Sequence, residues 1–226
     1  MVSAVYSFNM DSRMRDVIDQ HAPTETHGEL QHTLAHSVEV CGQGLMSSEE
    51  VRLVMHPAPV GHGIMYERAD LNPSVQVPAL ERYVRKRTRR TAIAIGDIYI
   101  DTIEHCQSAL AGLRVDNVLL ELHGAELPCG DGSAGLFVDA INGAGLVAQD
   151  APRTVHRITE PIMVQEGDAM LAAFPTEEDT FQAFYDLDYG VHSNRIQRQA
   201  FNFTTLNGNY HTELAPARTF SLKEEA

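Results

Sequence analysis

This 226-residue chain predicts an α+β fold, with helices laid on one face of a sheet. Three observations lead there: short runs of alternating apolar and polar residues along most of the chain, an apolar stripe at helical spacing from Ile103 to Leu113, and a second helical stretch after Gly135. Residues 1–30 are polar and are expected to form a mobile or loosely helical leader. A first α+β domain is expected over 31–150, complete with its helices. In it Thr33 to Val40 reads as extended, and Gly96-Asp97-Ile98-Tyr99-Ile100 alternates as a strand. Thr102 is a good N-cap residue for a helix opening at Ile103. Ile103, Cys106, Leu110 and Leu113 then supply its buried stripe, and Val118 to Leu122 is the next strand. The turn-forming Gln149-Asp150-Ala151-Pro152 predicts a boundary. Beyond it, over 153–226, the spans 155–158, 162–165, 170–174, 181–187 and 199–204 read as successive strands, and only Glu213 onwards looks helical. A sheet with one apolar face needs a second layer, so this second α+β domain is expected to be incomplete and to self-associate.

Chemistry is concentrated in Asp101-Thr102-Ile103-Glu104-His105-Cys106. Glu104 and His105 fall in the first turn of the predicted helix, off its apolar stripe. Free backbone N–H groups and the helix dipole there favour a carboxylate and disfavour an imidazolium. A neutral imidazole can bind a metal, and a neighbouring carboxylate can take a proton from water; hydrolysis of an amide or ester needs that pair of roles. The bland reading is a surface acid placed in a first turn for dipole reasons alone.

An ordered set of further motifs surrounds that pair. Gln31-His32-Thr33-Leu34, Gly42-Gln43-Gly44-Leu45, Val51-Arg52-Leu53, His56-Pro57-Ala58-Pro59 and Tyr66-Glu67-Arg68-Ala69-Asp70-Leu71-Asn72-Pro73 precede it. Ala109-Leu110-Ala111-Gly112-Leu113, Asp116-Asn117, Glu126-Leu127-Pro128, Asp131-Gly132-Ser133-Ala134 and Ala217-Arg218-Thr219-Phe220 follow. From about Gln31 to Ala226 the chain resembles the UDP-3-O-acyl-N-acetylglucosamine deacetylases, zinc hydrolases of lipid A biosynthesis, and several motifs in order are far more specific than one. The resemblance implies a Zn2+ cofactor with His105 as one ligand, Glu104 as general base, and Thr219 helping to hold the oxyanion. It also implies that Phe220 contacts substrate and that Asp131 supports the zinc-binding residues from behind. The implied partner is a UDP-sugar lipid precursor, met in the cytoplasm.

Two departures stand out. Gly44-Leu45-Met46 has a thioether where the family usually carries a histidine. The family's remaining zinc ligands, a His and an Asp one helical turn apart with a Lys between, and a later general-acid His, would all lie beyond Ala226. Two functions are therefore expected for this chain: removal of the N-acetyl group from UDP-3-O-(3-hydroxyacyl)-N-acetylglucosamine, or the role of a truncated non-catalytic remnant or scaffold lacking two zinc ligands.

Other signals are weaker. His32 and His36 lack the intervening Glu of a metalloprotease helix and read as a solvated or strand-packed pair. Gly130-Asp131-Gly132-Ser133-Ala134-Gly135 satisfies G-x-G-x-x-G, yet no strand runs into its first glycine, and Asp131 or Ser133 capping the next helix explains it more simply. The basic run Arg82, Arg85, Lys86, Arg87, Arg89 and Arg90 reads as a solvated face, with one or two arginines available to a diphosphate. A net charge of −14 opposes nucleic acid as a partner. Three cysteines without zinc-finger spacing suit reduced thiols, and no run is long and apolar enough to span a membrane.

Overall fold

A computed structural model describes residues 24–177, 179–190 and 196–220. Its first strand, β1 (Thr24–Leu34), pairs antiparallel with β10 (Leu146–His156), with register breaks on either side of Leu30. Residues 24–30, expected in a mobile leader, are thus strand; residues 1–23 lie outside the described ones. The turn expected at 149–152 is likewise absent. β10 runs through it with Pro152 opposite Leu30, and the register break beside Leu30 is where a residue without an N–H can be accommodated.

The central sheet has the order β2 (Val38–Gln43), β3 (Glu50–Pro57), β9 (Val118–His123), β4 (Ile64–Arg68), β5 (Val75–Pro78), antiparallel except where β4 runs parallel to β9. Its strands alternate cleanly. Val51, Leu53 and Met55 on β3 and Val118, Leu120 and Leu122 on β9 are buried on one face, with Tyr66 and Val77 beside them. The opposite face is a polar lattice. His56 and His123 each place Nε2 on the Glu121 carboxylate, at 3.0 and 2.7 Å, while Arg52 Nε bonds Glu39 at 2.7 Å. Two histidines that could have been metal ligands are therefore engaged on this outer face.

Two helices cover the apolar face, as the α+β reading requires. Helix α1 (Glu104–Gly112) buries Cys106, Ala109 and Leu110, with Ile103 before it, and α2 (Gly135–Ala144) buries Phe137, Val138 and Ile141. Each large side chain fully buried here contributes about 1.5–3 kcal/mol. Burial pushes the Cys106 thiol up to about 12, so it acts as a core residue. A smaller sheet, β6 (Val84–Arg85), β7 (Ala92–Ile95) and β8 (Ile98–Asp101), leads directly into α1. The basic run that precedes β7 is not one solvated face: Arg87 and Arg90 both lie 3.4 Å from Asp101, Arg87 also covers the Tyr99 ring, and Lys86 pairs with Glu166.

Beyond His156 the expected strands form, though not as one sheet. Among the described residues they make two separate hairpin ribbons, β11 (Ile162–Glu166) with β12 (Ala169–Ala173) and β13 (Gln182–Leu187) with β14 (Gln199–Thr204). Met163, Met170, Leu171, Phe174, Phe181 and Phe184 are exposed on or beside them. Helix is found at α3 (Tyr210–Glu213) and ends where it was expected to begin, because Asn209 supplies the cap, its side chain accepting from the Thr212 N–H. No helix among the described residues is long and apolar enough to cross a membrane.

The segment after β14 is locked to α1 by close approach. The Tyr210 hydroxyl bonds Ser108 Oγ at 2.8 Å, and its ring passes so near Gly112 that a Cβ there would lie 2.4 Å from Tyr210 Cδ1. Gly112→Ala should therefore lower stability by about 1–3 kcal/mol despite the better helix propensity of alanine. Tyr210→Ala in the same chain should remove most of that added cost, as denaturant melts of the single and double variants will show.

Candidate active site

Glu104 and His105 open α1, whose buried stripe faces the sheet, so both side chains sit on the flank turned away from the core. The helix begins without the expected cap. Ile103 occupies the cap position and makes no side-chain cap bond, while Thr102 adopts φ 58° and gives its hydroxyl to Glu126 Oε1 at 2.7 Å. Thr102 is thus no N-cap, because its side chain is spent on a buried carboxylate. The first-turn amides keep their partial positive charge for whatever lies in front of them.

The Glu104 carboxylate is half-buried, with Oε2 accepting the Thr91 N–H at 3.0 Å. Burial raises its pKa above the ordinary carboxylate value, and the nearby Glu126 charge adds to that. Backbone N–H groups, including that of Thr91, and the charge of Arg90 oppose the rise without cancelling it. Burial moves His105 the other way, below the usual imidazole value, with the Asp131 charge in opposition. Both shifts run toward the uncharged form, making Glu104 readier to accept a proton and His105 readier to stay neutral, the two tendencies that hydrolysis requires.

Both side chains line a cavity of about 230 Å³. Ser108 and Ala134 continue its floor, and Leu214 and Ala217 also line it. Its roof is one face of the β13–β14 ribbon, where Ala183 stands opposite Phe203 and Tyr185 opposite Phe201. Those roof residues were missed in the sequence, although alternation along both strands places Ala183, Tyr185, Phe201 and Phe203 on one side. The cavity is mostly apolar with a polar floor, the composition of a small-molecule site.

The loop before α2 and the Ala217–Phe220 segment meet beside this cavity. Gly130 and Gly132 have φ 59° and 83°, where a side chain would be strained, and they turn the backbone so that the Asp131 carboxylate accepts both the N–H and the hydroxyl of Ser133. Those bonds, chiefly the hydroxyl, hold Asp131 below the usual carboxylate value. Ser133 Oγ in turn accepts the Gly135 N–H at 3.1 Å, but the cap position of α2 is Ala134, which makes no side-chain cap bond, so neither Asp131 nor Ser133 is the expected N-cap; no strand enters Gly130 as a dinucleotide site would need. Thr219 N–H bonds Gly132 O at 2.8 Å and Arg218 Nε bonds Asp131 O at 2.8 Å. Thr219 is thus brought to the loop that carries Asp131, but neither of them nor Phe220 lines the cavity, and Phe220 is exposed.

A catalytic zinc takes three protein ligands and keeps one open position. The chemistry of His105 suits one of those places. Among the described residues, however, no group of three His, Cys, Asp or Glu side chains is placed to hold a metal ion, and these residues do not by themselves fit a zinc centre. His32 lies in β1 and His36 in the bend after it.

A buried carboxylate held away from water costs stability when ionised, and Glu104→Gln keeps the acceptor for Thr91 without that charge. For an acid whose folded pKa lies above its unfolded value, the folded state binds the extra proton, so stability falls as pH rises from about 4.5 through the raised value. Glu104→Gln should lack that fall. Its melting temperature should exceed the parent's by a few degrees at pH 8, on the order expected for a modest stability gain, and by less near pH 4.

Residues 31–226 match the family described as UDP-3-O-acyl N-acetylglycosamine deacetylase. Curated relatives named UDP-3-O-acyl-N-acetylglucosamine deacetylase include that of Stenotrophomonas maltophilia strain K279a, 40% identical over 195 residues, covering 86% of this chain and 64% of the relative. Those of Pseudomonas entomophila strain L48 and Xanthomonas oryzae pv. oryzae strain PXO99A are each 38% identical over the same shares. The chain thus spans 64% of the length of these relatives. With its motifs in family order and Glu104 and His105 side by side at a cavity, the chain belongs to the UDP-3-O-acyl N-acetylglycosamine deacetylase family.

Proposed function

We propose that this chain carries the water-activating half of a deacetylase site. It acts on the acetamide of UDP-3-O-(3-hydroxyacyl)-N-acetylglucosamine, in the lipid A biosynthesis that the family name and the ordered motifs suggest. The observation that supports this most directly is the half-buried Glu104, its pKa raised, facing a mostly apolar cavity beside the neutral His105. Glu104 takes a proton from water as its oxygen bonds to the acetamide carbonyl carbon. The C–N bond then breaks, the amine leaves with a proton returned to it, and acetate is released. Thr219, anchored through its backbone to Gly132, is the side chain proposed to hold the developing oxyanion, with Asp131 supporting the centre and Phe220 meeting substrate. The zinc implied by kinship would take His105 and need further ligands from outside the described residues. A cytoplasmic location agrees with three free thiols, one of them exposed.

One observation favours a second reading, in which the chain binds or scaffolds without turnover: His105 has no two companions for a metal among the described residues. Self-association through the exposed Met and Phe side chains of the ribbons belongs with either reading.

Acetate release decides between them. The 226-residue chain, alone and fused to the C-terminal third of the Stenotrophomonas relative, is incubated with substrate and Zn2+. The fusion should turn over, and Glu104→Gln should reduce its rate about a hundredfold or more, the size of a general-base contribution. An unchanged rate in that variant would remove Glu104 from the chemistry, and no turnover by either protein would favour the binding role.

A further inference from the structure

Two side chains near the start of α1 sit where the sequence gives no reason for them. Thr102 is β-branched, only 3% exposed, and left-handed at φ 58°, a conformation such a residue adopts only when its surroundings hold it there. Glu126 is a carboxylate only 3% exposed. They touch: Thr102 Oγ1 donates to Glu126 Oε1 at 2.7 Å. The remaining capacity of that carboxylate is filled by the backbone of the loop joining β2 and β3. Met46 N–H reaches both oxygens at 3.0 and 3.2 Å, and Ser47 N–H reaches Oε2 at 2.8 Å. Ser48, next along that loop, is a second left-handed non-glycine, at φ 56°. Room for the carboxylate comes from Gly44, where a Cβ would lie 2.5 Å from Glu126 Oε2.

We infer that Glu126 is a positioning residue for the α1 terminus: by tying the Thr102 hydroxyl to the 46–47 amides it holds Thr102 left-handed, and so fixes where Glu104 points. The backbone geometry shows how. Asp101 is pinned on both sides, its N–H to Ala125 O at 2.8 Å and its O to Leu127 N–H at 3.1 Å. Ile103 N–H bonds Thr91 O at 3.3 Å, and Glu104 Oε2 receives the Thr91 N–H. Between the pinned end of β8 and the first helical residue only Thr102 and Ile103 remain, so the direction of the helix is set by the dihedral angles at 102. Removing the tie lets Thr102 return to a right-handed or extended conformation. The path into α1 then changes, and the Thr91–Glu104 bond is the first contact to part. The inference takes its functional meaning from Glu104 as general base, but the geometry holds whatever Glu104 does.

The Thr91 amide is a local reporter, and its hydrogen exchange can be followed in the 226-residue chain by NMR without substrate or metal. Glu126→Gln retains shape but turns part of the acceptor into a donor facing two amides; Thr102→Val keeps the volume and removes the hydroxyl. Each should accelerate Thr91 exchange about tenfold or more while amides of the β3–β9 ladder keep their protection. Glycine adopts positive φ freely, so Thr102→Gly should bypass the need for the tie: adding Glu126→Gln to it should change Thr91 exchange by less than about threefold. That rescue separates positioning from plain stabilisation.

Equal acceleration of all amides in both single variants would overturn the inference, as would unchanged Thr91 exchange, or an undiminished Glu126→Gln effect in the Thr102→Gly chain. Should Glu126→Gln fail to fold, Thr102→Val reads the same contact from its other end, and the same outcomes apply to it. Acetate release that survives Glu104→Gln would sink the proposed function while leaving this inference standing.

Discussion

Everything at the candidate site depends on the burial of one stripe of α1 against the central sheet. Ile103, Cys106, Ala109 and Leu110 occupy the apolar face and leave the helix no freedom to rotate about its axis. Turning it by one residue would carry Glu104 or His105 into the core and expose an apolar side chain, at a cost of several kcal/mol by ordinary transfer arithmetic. The register of the helix is therefore a by-product of packing, and the chemistry uses the flank that packing leaves over. Ser108 lies one turn further along that flank, and both the cavity floor and the anchor for Tyr210 come from it.

Much of this was legible because it repeats. The alternation in β3 and β9 and the spacing of the α1 stripe are local patterns with one low-energy interpretation each, and they led to the α+β class and to the side of α1 on which Glu104 stands. What escaped was non-local. Thr102 is among the better capping residues, and its sequence neighbours say nothing of a carboxylate 24 positions away that would claim its hydroxyl. Residues 24–30 look like a polar leader because their partner, β10, is remote in sequence. The ribbon that roofs the cavity shows the same limit: its alternation is visible, but that one of its faces lines a cavity with Glu104 and His105 is a contact between segments remote in sequence.

The family assignment and the physical reading support each other without being the same. Motif order identifies the family to which the chain belongs. Burial, hydrogen bonding and the direction of two pKa shifts are what suit a Glu-His pair in this place to the proton transfer proposed for it. Neither follows from composition, which is that of an ordinary acidic globular chain.

The pairing of β1 with β10 bears on how the chain comes to be folded at all. Gln31 and Pro152, 121 residues apart, are joined by a side-chain bond within this ribbon, and every residue between them is synthesised before the partner strand exists. Bringing such distant segments together carries a loop-closure entropy that nearer contacts do not, and topologies rich in them fold slowly. Until β10 emerges, β1 is an unsatisfied edge with a row of open amide and carbonyl groups. The ribosome-bound chain thus presents, from the completion of β1 until residues 146–156 have been made, a strand that other strands could capture.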